Sequence, residues 1–416
     1  MPQPPAPLRI LLAHDWLVGL RGGEFVLDRL VAVAHQIGDV RGIVTMFDDG
    51  QPITPAIDAL PRIVSSLGRL GPVSLGARRW LLPLYPAAVQ WLSGSIADLH
   101  RRQPIDLLVS TSSAAIKGLE APPGVPHVCY CHAPARYLWS LGAEYAEGST
   151  ARRVGLEIFG DALREWDRAS AAHVDQFMAN STATRNVIER AWGRDSQIVF
   201  PPVRTQYFTP PQSRREAGAP WLVVSALEPY KRVESAIHAA NHTGHQLVVA
   251  GTGSERARLQ SLCGPTVQMV GRVADAELRR LYRTSRCLIF PQIEDFGIVA
   301  VEAQACGLPV VAFSRGGALD TVVDGVTGSF FHTADSESLI DAVNRCPQPD
   351  NPQIVEHAQQ FSEDRFDHEA RAVLLQALRG ARGRDRLVIA RQHLTDEEFK
   401  VGLEVNVTNH LAIEAE

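Results

Sequence analysis

Short apolar runs recur along the chain, separated by stretches of helical spacing or by turn residues. In the first half they fall at Leu8–Ala13, Ile43–Phe47, Asp106–Ser110, His127–Cys131 and Gln176–Ala179. A loop through Gly19, Gly22 and Gly23 follows the first run, and a helix is expected from about Glu24. A second series starts at Trp221. Its expected strands are Trp221–Ala226, Gln246–Ala250, Val267–Val270, Cys287–Phe290 and Pro309–Phe313. Helices are expected between them at Val233–Asn241, Glu255–Leu262, Asp275–Ser285 and Ile298–Cys306. Runs that are apolar throughout, rather than alternating, belong to strands covered on both faces. Their alternation with helices predicts parallel βαβ units. The fold class is therefore α/β, with two doubly wound halves that meet in the Pro-rich stretch from Pro201 to Pro220. Asp367–Arg379 reads as one amphipathic helix, and Arg382–Glu416 is charged with weak periodicity.

Composition narrows the function classes. The 416 residues suit two domains of roughly 150 residues each plus a tail. A net charge of −5 argues against a protein dominated by nucleic-acid binding. The six cysteines show no paired C-x-x-C, and Cys129, Cys131 and His132 form a C-x-C-H without a second ligand pair. Buried thiols are the expected reading, with no metal. Met1–Pro7 has no basic region or cleavage site, and no run of about 18 apolar residues occurs. A cytoplasmic address is expected.

The densest chemistry lies between Phe290 and Gly307. A strand ends at Phe290, a loop carries Glu294 and Asp295, Gly297 opens a helix, and Glu302 follows within it. Ligands of open α/β sheets bind outside the carboxyl ends of the strands. A helix N-terminus suits a diphosphate, and carboxylates accept hydrogen bonds from sugar and ribose hydroxyls. A nucleotide-sugar has phosphates in the middle and hydroxyls at both ends. The spacing alone equally allows an acidic helix start with a solvated Glu302.

The pair Glu294 and Glu302 stands in Glu-Asp-Phe-Gly-Ile-Val-x-Val-Glu-Ala-x-Ala-Cys-Gly, which resembles the donor motif of glycosyltransferase family 4. Supporting stretches are Arg21-Gly-Gly-Glu24, Tyr130-Cys-His-Ala-Pro134 with Arg136-Tyr-Leu-Trp139, Asn180-Ser181, Pro201-Pro-Val203, Pro229-Tyr-Lys-Arg232, Gly271-Arg-Val273 and Arg315-Gly-Gly-Ala318. The resemblance covers residues 8–380 and is greatest to bacterial mannosyltransferases of O-antigen and exopolysaccharide assembly. It implies the GT-B fold, two facing Rossmann-like domains with a C-terminal helix returning to the first. The expected boundaries are 1–205 for the acceptor domain, 206–365 for the nucleotide-sugar domain, 366–385 for the returning helix and 386–416 for an unassigned tail. It further implies that Glu294 binds the transferred sugar and Glu302 the ribose. Backbone amides around Phe296, Gly297, Ile298 and Val299 would hold sugar hydroxyls and phosphate. Lys231, with Arg232, would neutralise the leaving diphosphate. His132 would face the transferred sugar, and Gly22 and Gly23 would approach the phosphates.

One departure stands out: Ala226 occupies the position where many members carry an arginine, five residues before Lys231. Arg272, Arg204 and Arg315 are the candidates to replace its charge. Gly251-Thr-Gly253 reads as a turn and Asp48-Asp49 as a surface turn. No Asp-x-Asp triplet follows a strand, so metal-independent transfer without a cofactor is expected, with retention implied by the resemblance. The expected donor is GDP-mannose and the acceptor a lipid-linked or saccharide group in cell-surface polysaccharide synthesis. A UDP-sugar donor is the nearest alternative, followed by a nucleotide-sugar epimerase or hydrolase of the same fold. A dinucleotide oxidoreductase lacks its full G-x-G-x-x-G. Residues 62–102 carry Arg62, Arg69, Arg78, Arg79, Arg101 and Arg102 among Trp80, Leu81, Leu82, Leu84, Tyr85 and Trp91. This stretch reads either as core helices with solvated arginines or as a peripheral contact with an anionic membrane.

Overall fold

A computed structural model describes residues 7–68, 81–139, 150–213, 215–216 and 218–380; for residues 150–156 it describes the backbone alone. The contacts divide the chain into two units. One is Met1–Ala179, Arg185–Val199 and the chain from Asp367; the other is Asn180–Thr184 and Phe200–Phe366. The first sheet holds β1 (Leu8–Leu17), β2 (Gly38–Asp48), β3 (Arg62–Val64), β4 (Leu107–Ser112), β5 (His127–Cys131), β6 (Gln176–Ala179) and β7 (Gln197–Ile198). Its order is β3-β2-β1-β4-β5-β6-β7, and every pairing is parallel. The second sheet holds β8 (Trp221–Val224), β9 (Leu247–Ala250), β10 (Val267–Gly271), β11 (Cys287–Phe290), β12 (Val310–Phe313) and β13 (Gly328–Phe331). Its order is β10-β9-β8-β11-β12-β13, again parallel throughout. Both are Rossmann-like sheets, the architecture of GT-B glycosyltransferases.

The second unit shows why its strands are apolar throughout. Leu222, Ala250, Leu288, Phe290, Val310 and Ala312 point to one face, against the helix Ile298–Ala305. The alternate residues Trp221, Val223, Leu247, Val249, Ile289 and Val311 point to the other, against the helices Glu234–Thr243 and Ser336–Arg345. The period of two is present but hidden, because both faces are dry.

Three boundaries differ from the sequence expectation. Strand β1 runs four residues past Ala13, because His14 and Asp15 find buried partners and need not leave the sheet. The junction between units lies at Val199–Phe200, ahead of the prolines. Phe200 packs on Phe296 and Phe361 at ring distances of 5.8 and 5.0 Å, and the Val203 amide donates to the Phe361 carbonyl at 2.9 Å. The last helix is Glu363–Gly380, and Asp367 on it accepts from Arg29 Nε at 3.2 Å within the first unit. The 386–416 tail lies outside the described residues.

Five cysteines, Cys129, Cys131, Cys287, Cys306 and Cys346, are buried, and Cys263 is half-buried. Burial pushes the Cys129 thiol up to about 12, as expected of a packed side chain in an apolar cluster. Among the described residues no group of three His, Cys, Asp or Glu side chains could hold a metal ion.

Candidate active site

In each doubly wound sheet the strand order reverses at one point, leaving a crevice at the carboxyl ends of the two strands beside it. In the second unit those strands are β8 and β11. The loop after β8 makes a short turn, Pro229–Lys231, and Arg232 closes it in the left-handed conformation at φ 52°. The loop after β11 carries Glu294. Lys231 Nζ and the Glu294 carboxylate meet as an ion pair joining the two loops. Lys231 is otherwise buried, with its ammonium 4.8 Å above the Tyr230 ring.

Gly297, at φ +97°, opens the helix Ile298–Ala305. A side chain there would stand 2.7 Å from the Phe290 ring, so glycine lets the helix start directly over the strand end. The first N–H groups of this helix, at Ile298 and Val299, have no intrahelical acceptor. Phe296 is buried in the core below and contributes backbone to the loop.

The Arg315-Gly-Gly-Ala318 stretch explains itself sterically. The Gly317 amide donates to the Glu294 carbonyl at 2.8 Å, and a Cβ on Gly317 would lie 2.3 Å from Phe296 Cα. The loop after β12 thus packs, backbone on backbone, under the loop that carries Glu294. The Gly251–Gly253 stretch does the same for Ala226: a Cβ on Gly251 would lie 1.8 Å from the Ser225 carbonyl oxygen, and the Leu227 amide donates to Thr252 O at 2.9 Å. The turn itself falls at Ser254 and Glu255, where the Arg256 amide donates to the Gly253 carbonyl at 3.3 Å; Gly251–Gly253 is an extended stretch ahead of it, against the sequence expectation.

Glu302 sits one helical turn deeper and is 7% exposed. Tyr282 Oη donates to its Oε2 at 3.1 Å, and an Arg204 nitrogen lies 3.8 Å from its Oε1. Burial raises its carboxyl to about 7, against the lowering effect of Arg204 and the Tyr282 hydroxyl. It is therefore not a solvated helix residue. Tyr282 carried no sequence signal, since it lies 20 residues upstream on the helix Asp275–Thr284.

Arg204, Arg272 and Arg315, the arginines offered in place of Ala226, stand in different surroundings. Arg204 is engaged by Asp275 at 2.5 Å, beside Glu302. Arg272 is exposed at the end of β10. Arg232 and Arg315 converge: their guanidinium carbons lie 5.2 and 5.7 Å from the centre of one ring, Phe313, at the carboxyl end of β12.

The first unit has its own crevice at β1 and β4. His14 pairs in register with Thr111, and His14 Nδ1 is hydrogen-bonded to Thr111 Oγ1. Asp15 is buried and accepts four backbone N–H groups, from Ser113, Ala114, Ala115 and Ile116, at 2.6–3.0 Å. Its carboxylate thereby shapes the loop after β4. Lys117, next in that loop, is fully buried against Asp167 at 3.1 Å. Asp167 Oδ2 also accepts from the indoles of Trp139 and Trp192, each at 2.7 Å. His132 follows β5 and stands edge-on to His14, ring centres 6.4 Å apart. Gly22 and Gly23 begin the helix Gly22–Ile37 at the same end of the sheet. His132, Gly22 and Gly23 thus gather in one unit, and Lys231, Arg232, Glu294, Phe296–Val299 and Glu302 in the other.

Two family models cover most of the chain. The one described as Glycosyltransferase Family 4 matches residues 23–207, and the one described as Glycosyl transferases group 1 matches 211–364. The chain carries both glycosyltransferase domains. The group 1 match holds both strands of the second crevice, whereas the family 4 match begins at Gly23, after β1, and holds only the β4 side of the first. A D-inositol 3-phosphate glycosyltransferase of Acidothermus cellulolyticus is 33% identical over 262 residues, covering 54% of this chain and 55% of the relative. A GDP-mannose-dependent alpha-mannosyltransferase of Mycolicibacterium smegmatis is 29% identical, covering 43% and 50%. The chain thus spans about half the length of these relatives. The crystal structure of Anabaena HepE in complex with UDP and glucose superimposes with a TM-score of 0.62 at 18% identity, over 88% of this chain and 98% of that one. At that identity the likeness is one of fold.

Proposed function

We propose that the protein is a retaining glycosyltransferase that moves a hexose from a nucleotide-sugar, with GDP-mannose as its donor. The observation that carries this reading is the meeting of Lys231 and Glu294 at the switch point of the group 1 domain, beside a helix start opened by Gly297. A cation and free amides suit the diphosphate, and two carboxylates, Glu294 and Glu302, suit the hydroxyls on either side. Arg232 and Arg315 supply the charge that Ala226 lacks, and Arg272 lies at the outer rim.

The bond from the sugar's anomeric carbon to phosphate breaks as the bond to the acceptor oxygen forms on the same face. The acceptor's proton passes to the departing phosphate, whose charge Lys231 and the helix start stabilise. Glu294 binds and does not attack, and transfer needs no metal. A glycosyl ester found on Glu294 of the parent enzyme by mass spectrometry, or activity lost to EDTA and restored by magnesium, would each reject its part of this scheme.

The mannosyl choice is supported by the mycobacterial mannosyltransferase relative, and a UDP-sugar by HepE with UDP and glucose. Thermal-shift titration with GDP, UDP, ADP and their sugars separates them, since a ligand of the folded state raises its melting temperature. Stabilisation by GDP and GDP-mannose above the others is expected; indifference to all of them would reject the transferase reading.

The acceptor we propose is lipid-linked or a saccharide, reached at the cytoplasmic face of a membrane. Leu84, just before the helix Tyr85–Arg102, and Trp91 within it are exposed, and the helix ends in His100, Arg101 and Arg102. Arg62 is withdrawn from this surface by Asp48 and Asp58, and Arg69, Arg78, Arg79 and Trp80 lie outside the described residues. No described helix is long and apolar enough to cross a membrane. Failure to co-sediment with anionic liposomes at low salt would reject the peripheral contact.

A further inference from the structure

His14 takes no part in the scheme above, yet it is among the most constrained polar side chains of the first unit. It is 5% exposed and its Nδ1 is committed to Thr111. Its Nε2 makes no hydrogen bond among the described residues. Gly23 lies against that edge of the ring, the position of a Cβ there being 3.4 Å from His14 Cε1. The position a Cβ would take on Gly23 lies 3.8 Å from His14 Nε2 and 3.7 Å from His132 Nε2. Both nitrogens therefore border one small volume, kept open by the absence of a side chain, at the start of the 16-residue helix Gly22–Ile37. The rings stand at 85° to each other, so that they flank this volume and do not stack.

We propose that His14 joins His132, which the family resemblance already sets against the transferred sugar, in binding a carbohydrate hydroxyl, with Gly23 as the floor of the site. The chemistry selects a neutral hydroxyl group. Burial lowers His14 to about 4 and His132 to about 3, with Arg21 adding to the effect on His14, so both rings are uncharged at neutral pH. Uncharged imidazoles offer one donor and one acceptor each and give little to a phosphate. A hydroxyl both donates and accepts and can bridge the two rings. The Thr111 hydroxyl can donate to Nδ1 or accept from it, so it permits either tautomer of His14. Two imidazoles without a third ligand do not make a metal site.

The proposal rests on the transferase reading and names a contact that reading leaves out. The hydroxyl belongs either to the transferred hexose or to the acceptor. Two variants of the full chain separate the ring nitrogens. The amide of H14N reproduces Nδ1, keeps the Thr111 partner and lacks Nε2, whereas H14Q reproduces Nε2. Thermal shifts with GDP-mannose and GDP, and with UDP-glucose and UDP, give the extra affinity due to the sugar. Transfer to methyl α-mannoside gives the acceptor's KM. If the hydroxyl is the hexose's, H14N loses that extra affinity by about tenfold and keeps its affinity for the bare nucleotide. If it is the acceptor's, H14N raises the KM for the glycoside by about tenfold at unchanged nucleotide-sugar affinity. H14Q recovers part of either loss. The proposal is overturned if H14N matches the parent in both assays, or if bare-nucleotide affinity and melting temperature fall along with them. A parent chain indifferent to every nucleotide-sugar would reject the transferase reading instead. The hydroxyl site would then be judged by whether methyl α-mannoside shifts the imidazole NMR signals of His14 and His132.

Discussion

The Lys231 ammonium and the Glu294 carboxylate neutralise each other across the switch point of the second sheet. In the proposed scheme they serve different parts of the donor, Lys231 the diphosphate and Glu294 the sugar. Donor binding therefore exchanges this contact for two new ones. E294Q frees Lys231 and should leave affinity for a bare nucleoside diphosphate equal or tighter. Sugar transfer should fall by about 100-fold, the scale of a lost contact at a reacting group. Isothermal titration with the nucleotide, beside initial rates, measures the split. A parallel loss of nucleotide affinity would make the pair structural.

Arg232 and Arg315 share the Phe313 ring, and Arg232 holds a left-handed backbone that costs about 1 kcal/mol. Replacing either by alanine should weaken nucleoside diphosphate binding by about tenfold, as expected for one charge-assisted contact. The nucleoside itself should bind as before. Equal losses for diphosphate and nucleoside would place both arginines away from the phosphates.

Glu302 ties stability to pH. Its value of about 7 in the folded chain exceeds the ordinary 4.5, so the folded chain binds this proton more tightly than the unfolded chain. Stability therefore falls as pH rises from about 4.5 to 7, by on the order of 3 kcal/mol from this group. Ribose hydroxyls are best accepted by the ionised form, so nucleotide affinity should rise over the same range, with a proton released on binding. E302Q should flatten both curves in melting and titration experiments from pH 5 to 8. Unchanged slopes in the variant would remove Glu302 from the account.

The pair Lys117–Asp167 is fully buried, and both indoles on Asp167 depend on it. D167N keeps an oxygen for Trp139 and Trp192 but strands the lysine charge. It should cost about 3 kcal/mol of stability, visible as a lower denaturant midpoint. An unchanged midpoint would show that the buried pair adds nothing to stability.

What could be read from the sequence depended on whether the cause was local. Five strands of each sheet were legible because each carries its own apolar run, whereas the edge strands β3, β7 and β13 are two to four residues long and were not expected. The Glu294–Glu302 segment was legible because one loop and one helix contain it. Lys231 was visible only through resemblance, since a Pro-Tyr-Lys-Arg turn says nothing of a partner 63 residues away. The end of β1 was misjudged because His14 and Asp15 look like loop residues until Thr111 and the amides of Ser113–Ile116 satisfy them. Tyr282 behind Glu302 and the Lys117–Asp167 pair left no trace, because their chemistry exists only once distant segments pack. The glycines of the Arg315-Gly-Gly stretch were seen as a motif, but their reason is a backbone contact with Glu294 and Phe296.

The burial of five thiols has a practical side. Cys263, just after the helix Arg256–Leu262, is the least buried of the six, and its partial burial pushes its thiol above the ordinary range. A fluorophore or spin label coupled through maleimide at mildly alkaline pH would mark the second unit at one spot. The natural sequence is thus already suited to single-site spectroscopy, with no engineered cysteines and none to remove.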